Sequence, residues 1–349
     1  MVLLACPRKE NRATGGFAYN REITGRIGPE KLRYVLTGAS DGTSPTGEQI
    51  IPGGVDLAVL DSLFFLDPEA GFELLRETGS PYGLLIHYLP SSDPTGTDAE
   101  RSALADKENS LLTGAVGAVV TGTSTAEELR RRRPDLRIAS VLPGAPLLRG
   151  GGNPATGAAG ERDGIHFVTV ANLTPLKGIA PLVSVFADLG SRAWRWTIYG
   201  DTGADPAYTR EVLEAISGAG LDDGIRLAGP IEPEEIEGVL GSADAFVFPS
   251  LSESYGMAAA EALAAGLPVV LNDTGEISRI IENGREGFVC PSRGKDLDRE
   301  AWKISLSRII SDGALRGRMA SAAAVRASML PGWDDAARDF WEAVRSWTT

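Results

Sequence analysis

The chain has few cysteines, histidines and lysines, and each shortage excludes something. Only Cys6 and Cys290 occur in 349 residues, near opposite ends, so neither a disulfide framework nor a cysteine-ligated zinc site is expected. A reducing, cytoplasmic setting fits. Positive charge is also short: 34 basic residues face 47 acidic ones, for a net charge of -13. That balance argues against nucleic acid, because phosphate binding needs clustered Lys and Arg, and it disfavours peripheral docking on acidic lipid. No apolar run approaches the roughly 20 residues that a spanning helix needs, and the N-terminus lacks a basic region followed by an apolar one. A soluble chain is expected. G-x-G-x-x-G is missing, which argues against a nicotinamide dehydrogenase, and no metal or other cofactor is expected.

The chain is otherwise ordinary globular material, 43% apolar and 23% charged, and long enough for two domains. The clearest break in composition is LLRGGGNPATGAAGERDG, 147 to 164, which has almost nothing to bury and reads as a linker. Domains over 1–150 and 151–332 are expected, with a terminal helix over 333–349 expected to pack back towards the first domain. Downstream, HFVTVANL, WRWTIYG, GIRLAGP, AFVFPS, LPVVLN and GFVCP alternate with helical patterns. Such alternation means a parallel sheet with helices on both faces. Upstream, MVLLACP, VDLAVLDSL, YGLLIHYLP and VGAVVTGTS read as buried strands. The expected class is α/β: two doubly wound, Rossmann-like domains with a cleft at the strands' carboxyl ends.

Several residues stand where chemistry would need them. PSLSESYGMAAAEALAAGLPVV, 249 to 270, sets Glu253 in a loop and Glu261 in an Ala-rich helix read as apolar on every face. An ionised carboxylate there requires a cation, backbone donors or a hydroxyl-bearing ligand. Lys177, one of six lysines, stands after a strand and beside a helix start, where it can reinforce a helix dipole against phosphate. Gly15 and Gly16 open a helical run after the first strand and suit either a tight turn or an anion loop. His87 ends an apolar strand and suits either a structural hydrogen bond or acid–base work. His166 is given no role. The run Arg130 to Arg133 closes a helix with a capping-box pattern at Ser124 and Glu127, a pattern that explains it without a membrane.

Taken together, these segments resemble the E-x7-E retaining, nucleotide-sugar-dependent glycosyltransferases of family 4, which have the GT-B fold. The likeness is strongest over 165–295, through VANLTPLKG, GPIEPEEIEGVLGSADAFVFPS and NDTGEISRIIENGREGFVCP, and fainter in GGFAYN, LLIHY, AVVTGTS and VLPGAP. The resemblance implies that Lys177 holds the donor diphosphate, with Gly15 and Gly16 facing it. It implies that Glu261 accepts the ribose hydroxyls, and that Glu253 contacts the transferred sugar. Ser254, Tyr255, Gly256 and Met257 would present backbone amides to sugar and phosphate. His87 would lie near the reacting sugar, giving His87, Lys177 and Glu253 as the catalytic set. Tyr19, Asp61 and His87 are the acceptor-side candidates. Two departures stand out: Asn172 occupies the place of the family's usual Arg before the lysine, and Arg279 that of its usual Glu.

The implied activity is transfer of a hexose, with retention, from a nucleotide-sugar, UDP-linked by preference, to the hydroxyl of a small molecule, glycan or lipid. An epimerase or hydrolase of the same fold is the alternative, as is a weakened nucleotide-sugar-binding protein. No metal is required where Lys177 and helix N-termini supply positive charge.

Overall fold

The computed structural model describes residues 1–7, 15–37, 54–145, 164–294 and 296–348. The chain divides into two compact units, Met1–Gly144 with Pro331–Thr349, and Ala145–Leu330. The Gly-rich run read as a linker lies outside the described residues except for Gly164, as do residues 12–14 of the first glycine loop.

In the first unit six parallel strands form a sheet: β1 Val2–Pro7, β2 Leu32–Thr37, β3 Leu57–Asp61, β4 Tyr82–Ile86, β5 Ala118–Val120 and β6 Ile138–Ser140. Their order is β2-β1-β3-β4-β5-β6. The central strands are apolar up to Asp61 at the end of β3 because helices cover both faces, leaving no alternation to read. The order reverses between β1 and β3, the kind of switch point at which open α/β sheets bind ligands. The edge strand β2 and the short β6 were not foreseen in the sequence. LRYVLT is only partly buried, and IAS is three residues long.

The helix Trp333–Arg345 lies over one face of this sheet, burying Phe340 and Val344 with Tyr19, Ile23 and Leu57. Just beyond it, Trp347 packs on the backbone of Gly83 in β4 and of Gly117 before β5, where a Cβ would collide with the indole. Gly83→Ala is therefore expected to cost about 1–3 kcal/mol by overpacking. Equilibrium urea unfolding checks this, and an unchanged midpoint would show that Trp347 does not hold the sheet.

The second unit repeats the plan with β7 Ile165–Val170, β8 Trp194–Tyr199, β9 Ile225–Gly229, β10 Ala245–Phe248, β11 Val269–Asn272 and β12 Gly287–Cys290, in the order β12-β11-β10-β7-β8-β9. Here the switch lies between β7 and β10. Its core is aromatic: Phe186 stacks on Trp196 at 4.7 Å between ring centroids, and Phe167 meets Phe186 edge-on at 5.5 Å. Trp196 Nε1 donates to Thr169 Oγ1 (2.9 Å), so the buried indole leaves no donor unmet. A small antiparallel pair, β13 Ser292–Arg293 and β14 Asp296–Leu297, follows.

Candidate active-site clusters

The second unit's cluster forms at its switch point. After β7 the chain makes a turn, Pro175–Lys177, and then enters the helix Ile179–Ala187. Gly178 joins them in the left-handed region (φ 62°), where a Cβ would run into the Pro249 carbonyl oxygen, so only glycine lets the two loops touch. From β10 comes the loop carrying Ser250 and Glu253. The Lys177 ammonium bonds to Glu253 Oε1, which also accepts from the buried Ser250 hydroxyl (2.9 Å), and lies 5.3 Å from the centroid of Phe248. Deeper in, Asn272 at the end of β11 donates to the carbonyls of Pro249 (3.1 Å) and Ser250 (3.2 Å), while Trp302 Nε1 bonds its amide oxygen (2.8 Å). This buried chain fixes the loop that presents Glu253. Ser250 and Asn272 were not foreseen from the sequence. A polar residue ending an apolar strand was the available signal.

Gly256 (φ 97°) then opens the helix Met257–Ala264. The expectation of a helix apolar and buried on every face needs correction. Ala259, Ala260, Ala262 and Leu263 are buried, but Met257, Ala258, Glu261 and Ala264 form a half-buried stripe at helical spacing. Glu261 lies on that stripe, and among the described residues no hydrogen-bond donor or cation meets its carboxyl. Burial alone pushes its pKa up to about 7. Tyr255 is buried in the adjoining turn, its hydroxyl has no hydrogen-bond partner among the described residues, and burial, followed by the nearby Glu276, pushes its pKa up to about 12. Ser254 is half-buried beside it.

Asn172, a donor-side candidate, follows the end of β7. Its amide oxygen accepts from the backbone N–H of Asp201 (3.0 Å), tying the ends of β7 and β8 together. Arg279 pairs with the buried Glu276 at 3.4 Å.

The first unit's cluster also forms at a switch point. Asp61 ends β3, His87 follows β4, and the helix Gly15–Ile27 supplies Gly16 and Asn20. Asn20 and Asp61 are both buried. Asn20 Nδ2 donates to Asp61 Oδ2 (2.7 Å), and its Oδ1 lies 3.0 Å from His87 Nε2. His87 Nε2 is also 3.3 Å from Asp61 Oδ2, and the backbone N–H of Leu63 donates to Asp61 Oδ1 (2.8 Å). Two acceptor oxygens facing Nε2 place the imidazole proton on that nitrogen. Burial by itself would raise the Asp61 carboxyl, but the His87 ring facing it and the Leu63 and Asn20 donors outweigh burial and hold it below the usual range.

Gly16 is needed for close approach, since a Cβ there would stand 3.0 Å from His87 Cδ2. Gly15 precedes it, exposed, at the helix start. Tyr19 is in the core: its hydroxyl donates to the Val141 carbonyl (3.3 Å), and its ring backs His87 edge-on at 5.2 Å. That placement supports the imidazole from behind. Asn20 was missed in the sequence, although it sits one helical turn after Gly16 and so on the same face. Beside the cluster lies a cavity of about 410 Å³ whose lining includes Gly16, Asp61, Ser62 and His87.

The remaining charged features are structural. Helix Thr123–Arg132 starts with Gly122 as its N-cap, so Ser124 lies inside the helix rather than at the head of a capping box. Arg132 reaches the buried Glu108 (2.7 Å), Arg131 pairs with Glu128, and Arg133 pairs with Asp135 (2.7 Å). His166 is buried between the Ser242 carbonyl (3.2 Å) and Thr197 Oγ1 (3.0 Å). Asp296-Leu297-Asp298 has the spacing of an Asp-x-Asp motif, and in it Asp298 caps the helix Arg299–Ser311 through Ala301 N–H (3.1 Å). Among the described residues no group of three His, Cys, Asp or Glu is placed to hold a metal ion, and no helix is long and apolar enough to cross a membrane.

Residues 164–312 match the family described as Glycosyl transferases group 1. A D-inositol 3-phosphate glycosyltransferase of Arthrobacter sp. FB24 is 30% identical over 291 residues, covering 79% of this chain and 67% of the relative. Its namesake in Streptomyces avermitilis is 28% identical over 306 residues, covering 82% and 64%. The chain thus spans about two thirds of the length of these curated relatives. Among solved structures, sucrose-phosphate synthase from Thermosynechococcus elongatus superposes with a TM-score of 0.80 at 18% identity, over 99% of each chain. Anabaena Alr3699/HepE in complex with UDP-glucose gives 0.76 at 15% identity, again over 99% of each. The paired doubly wound sheets are those of the GT-B fold, and the chain belongs to the group 1 glycosyltransferases, the transferase enzymes of family 4.

Proposed function

We propose that this protein transfers a hexose from a nucleotide-sugar, UDP-linked by preference, to an acceptor hydroxyl with retention at the anomeric carbon. The observation that carries this reading is Glu261. Its carboxyl is half-buried on a helix face and meets no donor or cation among the described residues, and a vicinal diol such as ribose offers the pair of hydroxyl donors that it lacks. Lys177, at the switch point, supplies positive charge to the leaving diphosphate, and Glu253 contacts the sugar hydroxyls. The amides following Gly256 add helix N-terminal charge. Support for UDP comes from the neighbour bound to UDP-glucose. Among the described residues none is an evident covalent nucleophile, so displacement on the leaving-group face, with the departing phosphate taking the acceptor proton, is the proposed route.

The curated relatives are named for D-inositol 3-phosphate, and that acceptor is the comparison to make. A second reading, a weakened nucleotide-sugar-binding protein, rests on Asn172 standing where the family's usual Arg would be; its amide oxygen accepts from the Asp201 N–H, and incubation with a labelled sugar nucleotide separates the two readings.

UDP, GDP and ADP separate the possibilities by thermal shift, since a ligand of the native state raises Tm by mass action. UDP is expected to give the largest shift. Lys177→Ala is expected to weaken UDP about tenfold or more, the scale of a lost charge-assisted hydrogen bond. No shift with any of the three sinks the donor site. Incubation with a labelled sugar nucleotide then distinguishes a new glycoside from an isomerised donor.

A further inference from the structure

The cavity beside His87 carries information about the acceptor that the donor site does not. Its volume, about 410 Å³, is that of a small-molecule site. One edge is polar and reactive, formed by His87 and Asp61. The remainder is built mainly from Phe17, Leu63, Leu66 and Leu104. Leu66, in the turn after the Ser62–Phe65 segment, is 39% exposed, a cost that a wall purely of the core would not incur. None of the described lining residues is Lys or Arg, and its acidic members are two carboxylates, Asp61 and Asp93. Lys107, on the neighbouring helix, donates its ammonium to the Leu66 carbonyl (3.0 Å).

A phosphorylated acceptor would have to shed water beside those carboxylates with no Lys or Arg among the described lining residues to receive it, and both desolvation and repulsion oppose this. An uncharged group carrying alkyl or aryl surface meets the opposite balance, because the leucines and Phe17 gain by covering it. We propose that this cavity receives an uncharged acceptor in which the reacting hydroxyl, held at the His87–Asp61 edge, is attached to an alkyl or aryl group that fills the leucine-lined end. The inference rests on the transferase reading and narrows its acceptor class.

The test uses the full chain and four probes: methyl, hexyl and phenyl β-D-glucoside, and D-inositol 3-phosphate. Ligand-detected NMR reads binding without any donor, and transfer from labelled UDP-glucose reads KM for each. Hexyl and phenyl glucosides are expected to bind at least tenfold more tightly than the methyl compound, with KM falling in the same order. Leu66→Lys, at an exposed position, and Leu104→Ala are each expected to reduce that preference to threefold or less. Equal binding of methyl and hexyl compounds overturns the proposal, as does tighter binding of D-inositol 3-phosphate. A preference unchanged in both variants overturns it too, because the alkyl group would then lie elsewhere. A normal UDP thermal shift alongside any of these results confines the failure to the acceptor. An alkyl preference that persists without a UDP shift supports the cavity's chemistry while removing the donor reading.

Discussion

Glu261→Gln is expected to raise the melting temperature of the ligand-free protein above pH 7 while abolishing most of its stabilisation by UDP. The two effects have opposite signs for one reason. Burial lifts the carboxyl from an ordinary 4.5 to about 7 because its ionised form meets no donor or cation. The native state then holds a proton that the unfolded chain has released, so this residue's contribution to stability is intact below pH 4.5 and is lost as pH rises through 7. The shift corresponds to about 3 kcal/mol, an order-of-magnitude figure, expressed only where the native carboxylate is charged. Glutamine removes the charge and with it the pH dependence, so the variant and the parent should converge near pH 4.5 and separate towards pH 8. Ribose hydroxyls that donate to the carboxylate reverse the balance in the parent alone. UDP binding near pH 7 should accordingly release about half a proton, readable by calorimetry in buffers of different ionisation enthalpy. If the variant were less stable at pH 8 and still bound UDP, Glu261 would be a structural acid with no part in the donor site.

Asp61→Asn and His87→Ala are expected to lower kcat for transfer by about 10²-fold, the scale of a misplaced acceptor hydroxyl, with the UDP shift retained. Asp61 is the converse of Glu261. Burial works against its charge as well, but His87, the Leu63 amide and Asn20 reverse the outcome and hold it ionised. A carboxyl lowered in the native state contributes stability above its ordinary value of 3.8 and loses it as pH falls through the native one. Asp61→Asn should therefore lower Tm at neutral pH, with the penalty shrinking under acid. Asn20→Ala supplies the control for positioning: it leaves His87 and Asp61 in place, so the pH profile of kcat should move more than KM does. A transfer rate unaffected by Asp61→Asn would remove this cluster from the chemistry.

The six strands of the second unit's parallel sheet were all legible in the sequence, because each is a short, mainly apolar run bounded by Gly, Pro or charge, though the small pair β13 and β14 was not. The edges were not. β2 mixes Arg33 and Tyr34 with Val35, and β6 pairs with one neighbour only, so sequence composition carried little of their tertiary context. The motif residues Lys177, Glu253 and Glu261 were visible because each breaks an apolar or glycine-rich background. Asn20 was not, since its meaning lies in Asp61 and His87, 41 and 67 residues away. The Ala-rich helix was legible as a helix, but which of its faces is only half covered depends on packing that no single segment encodes.

The bond between Lys177 and Glu253 has a consequence for turnover. On the proposed reading, the ammonium that greets the incoming diphosphate is already occupied by a neighbouring carboxylate, itself steadied by Ser250. Donor entry is then an exchange of partners, in which the sugar's hydroxyls take up Glu253 as the phosphates take up Lys177. Departure runs the exchange backwards: once the sugar has gone, Glu253 is at hand to reclaim the lysine, and the spent nucleotide competes with an internal counter-ion for its place. A donor carrying both halves satisfies both side chains, whereas the product satisfies only one, so the pair favours holding the substrate over holding what remains of it.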